Sequence, residues 1–93
     1  MNRIVKLRVP TNPQQTWLTV AKGSQIVGFS ADRNDPGVLI EVPVGERAQE
    51  KLDIQVVELG REYPETYGFI GFFVVGHKSF VVIAAKTVQG ESL

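Results

Sequence analysis

The chain contains one histidine, His77, which is the natural general base for a hydroxyl nucleophile. It lies in the polar break 76–79, where Lys78 and Ser79 follow it. Adjacent residues in a tight turn generally point apart, so a Ser79–His77 pair would also need a carboxylate from a distant segment. We therefore predict no catalytic residue and expect His77 to be an exposed turn residue that contacts a partner.

Carboxylates are the other groups that could perform acid–base chemistry. Glu58, Glu62 and Glu65 are close in sequence and could approach Asp53 or Glu41, but spacing along a loop does not fix a separation between carboxylates. The chain has no cysteine, so a zinc or iron site built from Cys and His is excluded. The glycines lead into no helix, so there is no phosphate-binding or dinucleotide motif. We predict a solvated loop, no metal and no cofactor.

Aromatic residues with a polar group are stronger candidates, because Tyr and Trp are enriched at binding sites. Tyr63 and Tyr67 share a loop with Arg61, and such a cluster could bind a peptide, a nucleotide or a host protein. The alternative is that each ring covers an edge of the core and keeps its polar group in water. We assign ligand or partner binding to six residues: Arg61, Glu62, Tyr63, Tyr67, Trp17 and His77.

Length and charge limit the classes of partner. The 93 residues are expected to form one domain, 1–93, because two halves would each be too small to bury a core. Ten basic residues balance ten acidic ones, so neither a nucleic acid nor an anionic membrane is expected as a partner. The segment 11–15 is polar, so we expect no secretory signal. The absence of cysteine fits a reducing cytoplasm.

The elements that position these residues are seven strands with mostly period-two alternation. They are predicted at about 3–9, 16–21, 25–31, 38–44, 52–59, 69–75 and 80–85. The turn Lys22-Gly23-Ser24 predicts that the second and third strands form a hairpin. The polar stretch 45–51 is expected to be a loop. The fold class is all-β, a small antiparallel sandwich or barrel of about seven short strands.

The last two strands are apolar on both faces, which predicts that both faces are covered. We expect them to form a hairpin at the centre of a sheet, with Gly71 marking a bulge or a close approach to the backbone. Because one short chain can hardly cover both faces, we predict a homo-oligomer. Its interface is assigned to Phe72, Val74, Val81 and Ile83.

Several segments resemble a family of small, functionally uncharacterised proteins found in phages and bacterial genomes. The resemblance covers nearly the whole chain and rests on segments 4–7 (Ile-Val-Lys-Leu), 19–27, 38–43 and 67–73 (Tyr-Gly-Phe-Ile-Gly-Phe-Phe). Where the family often has Gly-Thr-Gly-His after the fifth strand, this chain has Glu-Leu-Gly-Arg at 58–61, so no role of that histidine carries over. The resemblance implies a phage or prophage origin and transfers no activity.

These observations together predict a non-enzymatic, phage-encoded interaction protein that acts as a homo-oligomer. It would bind a host protein or a small ligand as an accessory or counter-defence factor. The alternative is a virion or assembly protein that decorates a larger particle, and a small hydrolytic enzyme is a third, less expected reading.

Overall fold

The structure is a computed structural model that describes residues 1–32 and 34–85. Seven strands make up the described chain: β1 (Asn2–Arg8), β2 (Gln14–Ala21), β3 (Gln25–Ser30), β4 (Gly37–Pro43), β5 (Gln49–Glu58), β6 (Tyr67–Val75) and β7 (Lys78–Ala85). These residues contain no helix, and so none of a length and hydrophobicity that would cross a bilayer.

The strands form two separate antiparallel sheets. Three strands lie in the order β1-β4-β3, and the other four lie in the order β2-β5-β7-β6. The predicted all-β class is confirmed, and two sheets that share a core make the fold a sandwich rather than a closed barrel.

The hydrophobic core lies between the sheets and receives side chains from both. Val38 and Ile40 of β4 face Ile54, Val56 and Val82 of the four-stranded sheet, and all five side chains are excluded from solvent. All five are aliphatic and β-branched, which suits a pleated surface that is buried on one side. Full burial of each stabilises the fold by about 1.5–3 kcal/mol.

The two sheets approach each other closely at Gly71, where their β3 and β6 edges meet. A β-carbon at position 71 would lie 2.5 Å from Cγ of Phe29, so only glycine lets this ring reach the backbone of β6. The pairing of β6 with β7 also shifts between Phe69 and Gly71, which is a β-bulge. The Phe29 ring then stacks on Phe73, with the ring centroids 6.2 Å apart. Both predictions for Gly71 are therefore confirmed.

The predicted hairpin of β2 and β3 is wrong. β2 pairs with β5, and β3 pairs with β4. The turn itself is real, because the backbone N–H and the hydroxyl of Ser24 both donate to the carbonyl of Ala21, at 3.1 and 2.6 Å. It carries the chain from one sheet to the other instead of folding it back within one sheet.

The β6–β7 hairpin is confirmed, but its predicted central position is only half right. β7 is central, since it pairs with β5 on one side and β6 on the other. β6 is an edge strand. One edge and one face of the apolar hairpin are therefore not covered by a neighbouring strand or sheet of the described chain.

Candidate binding surface on the four-stranded sheet

The candidate surface is the outer face of the four-stranded sheet, which points away from the three-stranded sheet. On β7, Phe80, Val82 and Ala84 belong to the core, so the alternating residues Val81 and Ile83 lie on the opposite, outer side. The strand registers extend this face across the sheet through Gln15, Trp17, Thr19, Lys51, Asp53, Gln55, Val57, Tyr67, Phe69, Phe72 and Val74.

One end of this face is an apolar patch formed by Phe69, Phe72, Val74 and Val81. Phe69, Phe72 and Val74 are 61%, 53% and 47% exposed, although each lies within strand β6. Phe72 pairs with Val81, and Phe69 pairs with Ile83. Contiguous exposed apolar side chains of this kind mark interaction sites in soluble proteins.

Ile83 differs from the other residues assigned to the interface, because its side chain is fully buried. It lies on the outer face, outside the main core cluster, and pairs with Phe69 on one side and Gln55 on the other. It therefore packs beneath the patch and is not available to contact a partner. Its assignment to the oligomer interface is corrected accordingly.

The other end of the face is polar, and Asp53 lies at its centre. Gln15 Nε2 donates to Asp53 Oδ1 at 2.8 Å, and the Tyr67 hydroxyl donates to Asp53 Oδ2 at 2.5 Å. Gln55 Nε2 donates to Tyr67 Oη at 3.0 Å. Trp17 is the cross-strand neighbour of Asp53 and is 56% exposed. We call these five residues the Asp53 cluster.

Tyr67 reaches this cluster from the opposite edge of the sheet. It begins β6, whereas Asp53 and Gln55 lie on β5, with β7 between the two strands. Tyr67 pairs with Ala85, whose small side chain leaves room on β7 for the ring to lie across it. The hydrogen bond to Asp53 raises the pKa of Tyr67 above its ordinary value, since ionisation would remove the proton that the hydroxyl donates.

The loop 59–66 holds three of the residues assigned to partner binding. β5 and β6 each run antiparallel to β7 and so parallel to one another, which means that this loop crosses from one end of β7 to the other. Arg61, Glu62 and Tyr63 are all exposed on it. Among the residues described, no side-chain hydrogen bond ties these three to another part of the protein.

His77 lies in the β6–β7 turn, where Gly76 adopts a φ of +62°. It is exposed, and no hydrogen bond to Ser79 is present in the described part of the chain. It is at the hairpin end opposite Tyr67, because Tyr67 pairs with Ala85 and Val75 pairs with Lys78.

The six predicted binding residues therefore fall into three places. Trp17 and Tyr67 meet in the Asp53 cluster, Arg61, Glu62 and Tyr63 lie on the crossover loop, and His77 occupies a separate turn. Sequence reasoning missed Asp53, Gln15 and Gln55 as partners of the aromatic residues. Alternation places Gln15 and Trp17 on one face, but the pairing of β2 with β5 has no local signal.

The charges on the other sheet form a separate cluster. Lys6 Nζ is 2.9 Å from Asp35 Oδ2, and Arg8 Nε is 2.6 Å from Asp35 Oδ1. These hydrogen bonds, first from Lys6 and then from Arg8, lower the pKa of Asp35. The positive charges of Lys6 and Arg8 on β1 are thus partly neutralised by Asp35, in the turn before β4.

Within residues 1–32 and 34–85, no group of three or more His, Asp or Glu side chains is arranged to hold a metal ion. A groove of about 770 Å³ opens where the two sheets end, and Asp53, Lys51, Leu52, Ile26 and Ile70 are among its lining residues. The Asp53 cluster therefore lies beside an open depression rather than within a closed pocket.

Comparisons of the sequence with known proteins identify the family to which the chain belongs. No curated protein and no solved structure is significantly similar to this chain. Residues 1–88 match a domain of unknown function, DUF7352. Because the match spans nearly all of the 93 residues, the chain belongs to the DUF7352 family.

Proposed function

We propose that this protein is a non-enzymatic binding protein that acts as a homo-oligomer through its apolar patch. The observation that carries the proposal is the exposure of Phe69, Phe72 and Val74 on one sheet face without a charged residue on β6. Burying aromatic and aliphatic surface against a partner is the dominant favourable term in most protein association. Covering this face with a partner therefore favours the associated state over the separate chains.

A second copy of the chain is the occupant that best fits this patch. The patch is uncharged, so two copies related by a two-fold axis would bring no like charges together. The patch is formed by two paired strands, β6 and β7, which suits packing of one sheet face on another. Phe72 is the expected centre, because Phe69, Val74 and Val81 surround it on β6 and β7.

The finer proposal is that the protein is a phage-encoded accessory or counter-defence factor in the cytoplasm of the host cell. The resemblance to small phage and bacterial proteins supports the origin. The loop 59–66 supports a host protein as partner, since it presents Arg61 and Tyr63, and Arg and Tyr are the residue types that dominate binding energy at interfaces.

Self-association is tested by Phe72→Lys, with Ile4→Lys as the matched control. Ile4 is 59% exposed on the outer face of the three-stranded sheet, and Phe72 is 53% exposed on the other. Light scattering and sedimentation should show an oligomer for the wild type and for Ile4→Lys, and a monomer or an aggregate for Phe72→Lys. A monomeric wild type would contradict the proposal.

The identity of the larger partner is tested by affinity capture from host lysate and from phage particles. A host factor predicts a discrete host protein that is retained by the wild type and lost by Tyr63→Ala. A decoration protein instead predicts co-purification with particles and no retained host protein. That second result would replace the host-factor proposal with a structural role.

A further inference from the structure

The Asp53 cluster is a second feature of the outer face, and it differs chemically from the apolar patch. Its polar side chains are already ordered: the two carboxylate oxygens of Asp53 hold Gln15 and Tyr67, and Gln55 holds Tyr67 in turn. They come from β2, β5 and β6, so the sheet fixes their spacing. Preordered groups lose little conformational entropy when a ligand binds.

The cluster retains hydrogen-bonding capacity. A carboxylate oxygen can accept two hydrogen bonds, and each oxygen of Asp53 accepts one from the described residues. The amides of Gln15 and Gln55 each donate one N–H within the cluster, which leaves a second N–H and a carbonyl oxygen on each. A ligand that both donates and accepts several hydrogen bonds is matched by this set.

Trp17 adds a flat apolar surface next to these polar groups. It is more than half exposed, although burial of an indole would be strongly favourable. Its cross-strand partner is Asp53, so the ring and the carboxylate are immediate neighbours. A pyranose has the complementary shape, since its C–H groups form an apolar face and its hydroxyls project around the rim.

The charges near the cluster favour a neutral ligand. The Asp53 carboxylate opposes an anion. Lys51 lies on the same face, two residues along β5, and opposes a cation. The carboxylate already accepts two hydrogen bonds, which reduces its attraction for an ammonium group further.

We infer that the Asp53 cluster binds a neutral sugar, with the pyranose ring on the Trp17 indole and its hydroxyls on Asp53, Gln15 and Gln55. The site deepens the proposed binding function by naming a class of small ligand. It does not depend on self-association, because the apolar patch and the Asp53 cluster share no residue.

Trp17 provides the readout, since it is the single tryptophan of the chain. Full-length protein is titrated with maltotriose, lactose and triacetylchitotriose while tryptophan emission is followed, and saturation-transfer NMR identifies the sugar protons in contact. At least one of these sugars should shift the emission and receive saturation on its ring C–H protons. Asp53→Asn should weaken the binding of that sugar at least tenfold, and Trp17→Ala should abolish the saturation transfer to its ring protons.

The controls separate this inference from the other proposals. Phe72→Lys should bind the sugar as the wild type does, whatever its oligomeric state. Circular dichroism checks that Asp53→Asn and Trp17→Ala are folded. If a variant is unfolded, the titration of the wild type still decides whether the protein binds a sugar. The inference is overturned if none of the three sugars shifts the emission, or if choline does so and the sugars do not.

Discussion

At the scale of single residues, the contact between Gly71 and Phe29 makes the sharpest prediction about stability. Gly71→Ala places a methyl group 2.5 Å from Cγ and 2.7 Å from Cβ of Phe29. The ring cannot withdraw without losing its stack on Phe73. We expect the free energy of unfolding to fall by about 1–3 kcal/mol, as for other overpacked cores, when it is measured by urea denaturation.

Gly28 provides the matched control for this substitution. A β-carbon there would lie 3.4 Å from Cδ1 of Leu39, which is an ordinary contact, and Gly28 is also a strand residue beside a bulge. Gly28→Ala should change the free energy of unfolding by no more than about 0.5 kcal/mol. Equal effects of the two substitutions would show that strand glycine itself, and not the approach of Phe29, is responsible.

Tyr67 gives a prediction about pH. The chain has two tyrosines, so in a Tyr63→Phe background the ultraviolet absorbance of tyrosinate reports Tyr67 alone. Because its hydroxyl donates to Asp53, the pKa of Tyr67 should lie above that of an unfolded tyrosine, about 10. Asp53→Asn should bring the pKa down. An unchanged midpoint in Asp53→Asn would contradict the hydrogen bond.

The same shift determines how stability depends on pH. Above the unfolded pKa the unfolded chain loses the Tyr67 proton while the folded chain keeps it, so the unfolded state is favoured. The contribution is complete below about pH 10 and is lost as the pH rises through the folded pKa. Tyr67→Phe should remove this part of the alkaline fall in the free energy of unfolding, which is measured by urea denaturation at a series of pH values.

At the scale of elements, the strands could be predicted and their partners could not. Period-two alternation placed the first five strands, because one buried face imposes it whatever the partner is, and two continuous apolar runs placed β6 and β7. The β6–β7 hairpin was also predictable, since the short polar break 76–79 separates two apolar runs. The turn 22–24 has equally good local chemistry but links two sheets. Whether a turn returns the chain to the same sheet depends on contacts with β4 and β5, which lie far away in sequence.

The candidate site shows the same limit. Trp17 and Tyr67 were predictable as binding residues from their type alone. Asp53, which joins them, had no signal, because the link requires β2 beside β5 and β7 beside both β5 and β6. The start of β5 at Gln49 was missed for a related reason: Gln49, Glu50 and Lys51 are polar, yet they pair with β2. A strand held by its backbone needs no apolar pattern.

The anchoring of β1 gives the prediction at this scale. Lys6 and Arg8 connect this edge strand to Asp35, and both pairs are exposed enough to be screened by salt. In carboxyl NMR titrations Lys6→Met should raise the depressed pKa of Asp35, since the hydrogen bond from Lys6 is its largest cause. Lys22→Met, in the β2–β3 turn, should leave it unchanged. Equal titration of Asp35 in both variants would contradict the link.

The sign of the stability effect follows from the lowered pKa. Above the unfolded value of about 3.9, Asp35 is charged in both states and its bonds stabilise the folded one. As the pH falls through the lower folded pKa, that contribution is lost. The difference in stability between the wild type and Asp35→Asn should therefore shrink in acid, and it should also shrink in concentrated salt.

At the scale of the whole molecule, the two sheets do not correspond to two halves of the chain. β1, β3 and β4 form one sheet, but β2 leaves the N-terminal half to pair along eight residues with β5. The core likewise takes Val38 and Ile40 from the first half and Ile54 and Val82 from the second. Neither half has a covered inner face of its own, so we expect the chain to unfold as a single cooperative unit.

This interdependence predicts fragment complementation. Cut in the exposed loop between β4 and β5, fragments 1–46 and 47–93 should each lack a β signal in circular dichroism, because pieces of this size cannot bury a core alone. Mixed, they should regain it, since β2 restores its pairing with β5. Leu18→Asp, which places a charge against the core, should block recovery, whereas Thr19→Asp on the outer face, opposite Lys51, should permit it. A cooperative unfolding transition in fragment 47–93 alone would show instead that β5, β6 and β7 form an independent unit to which the other strands are added.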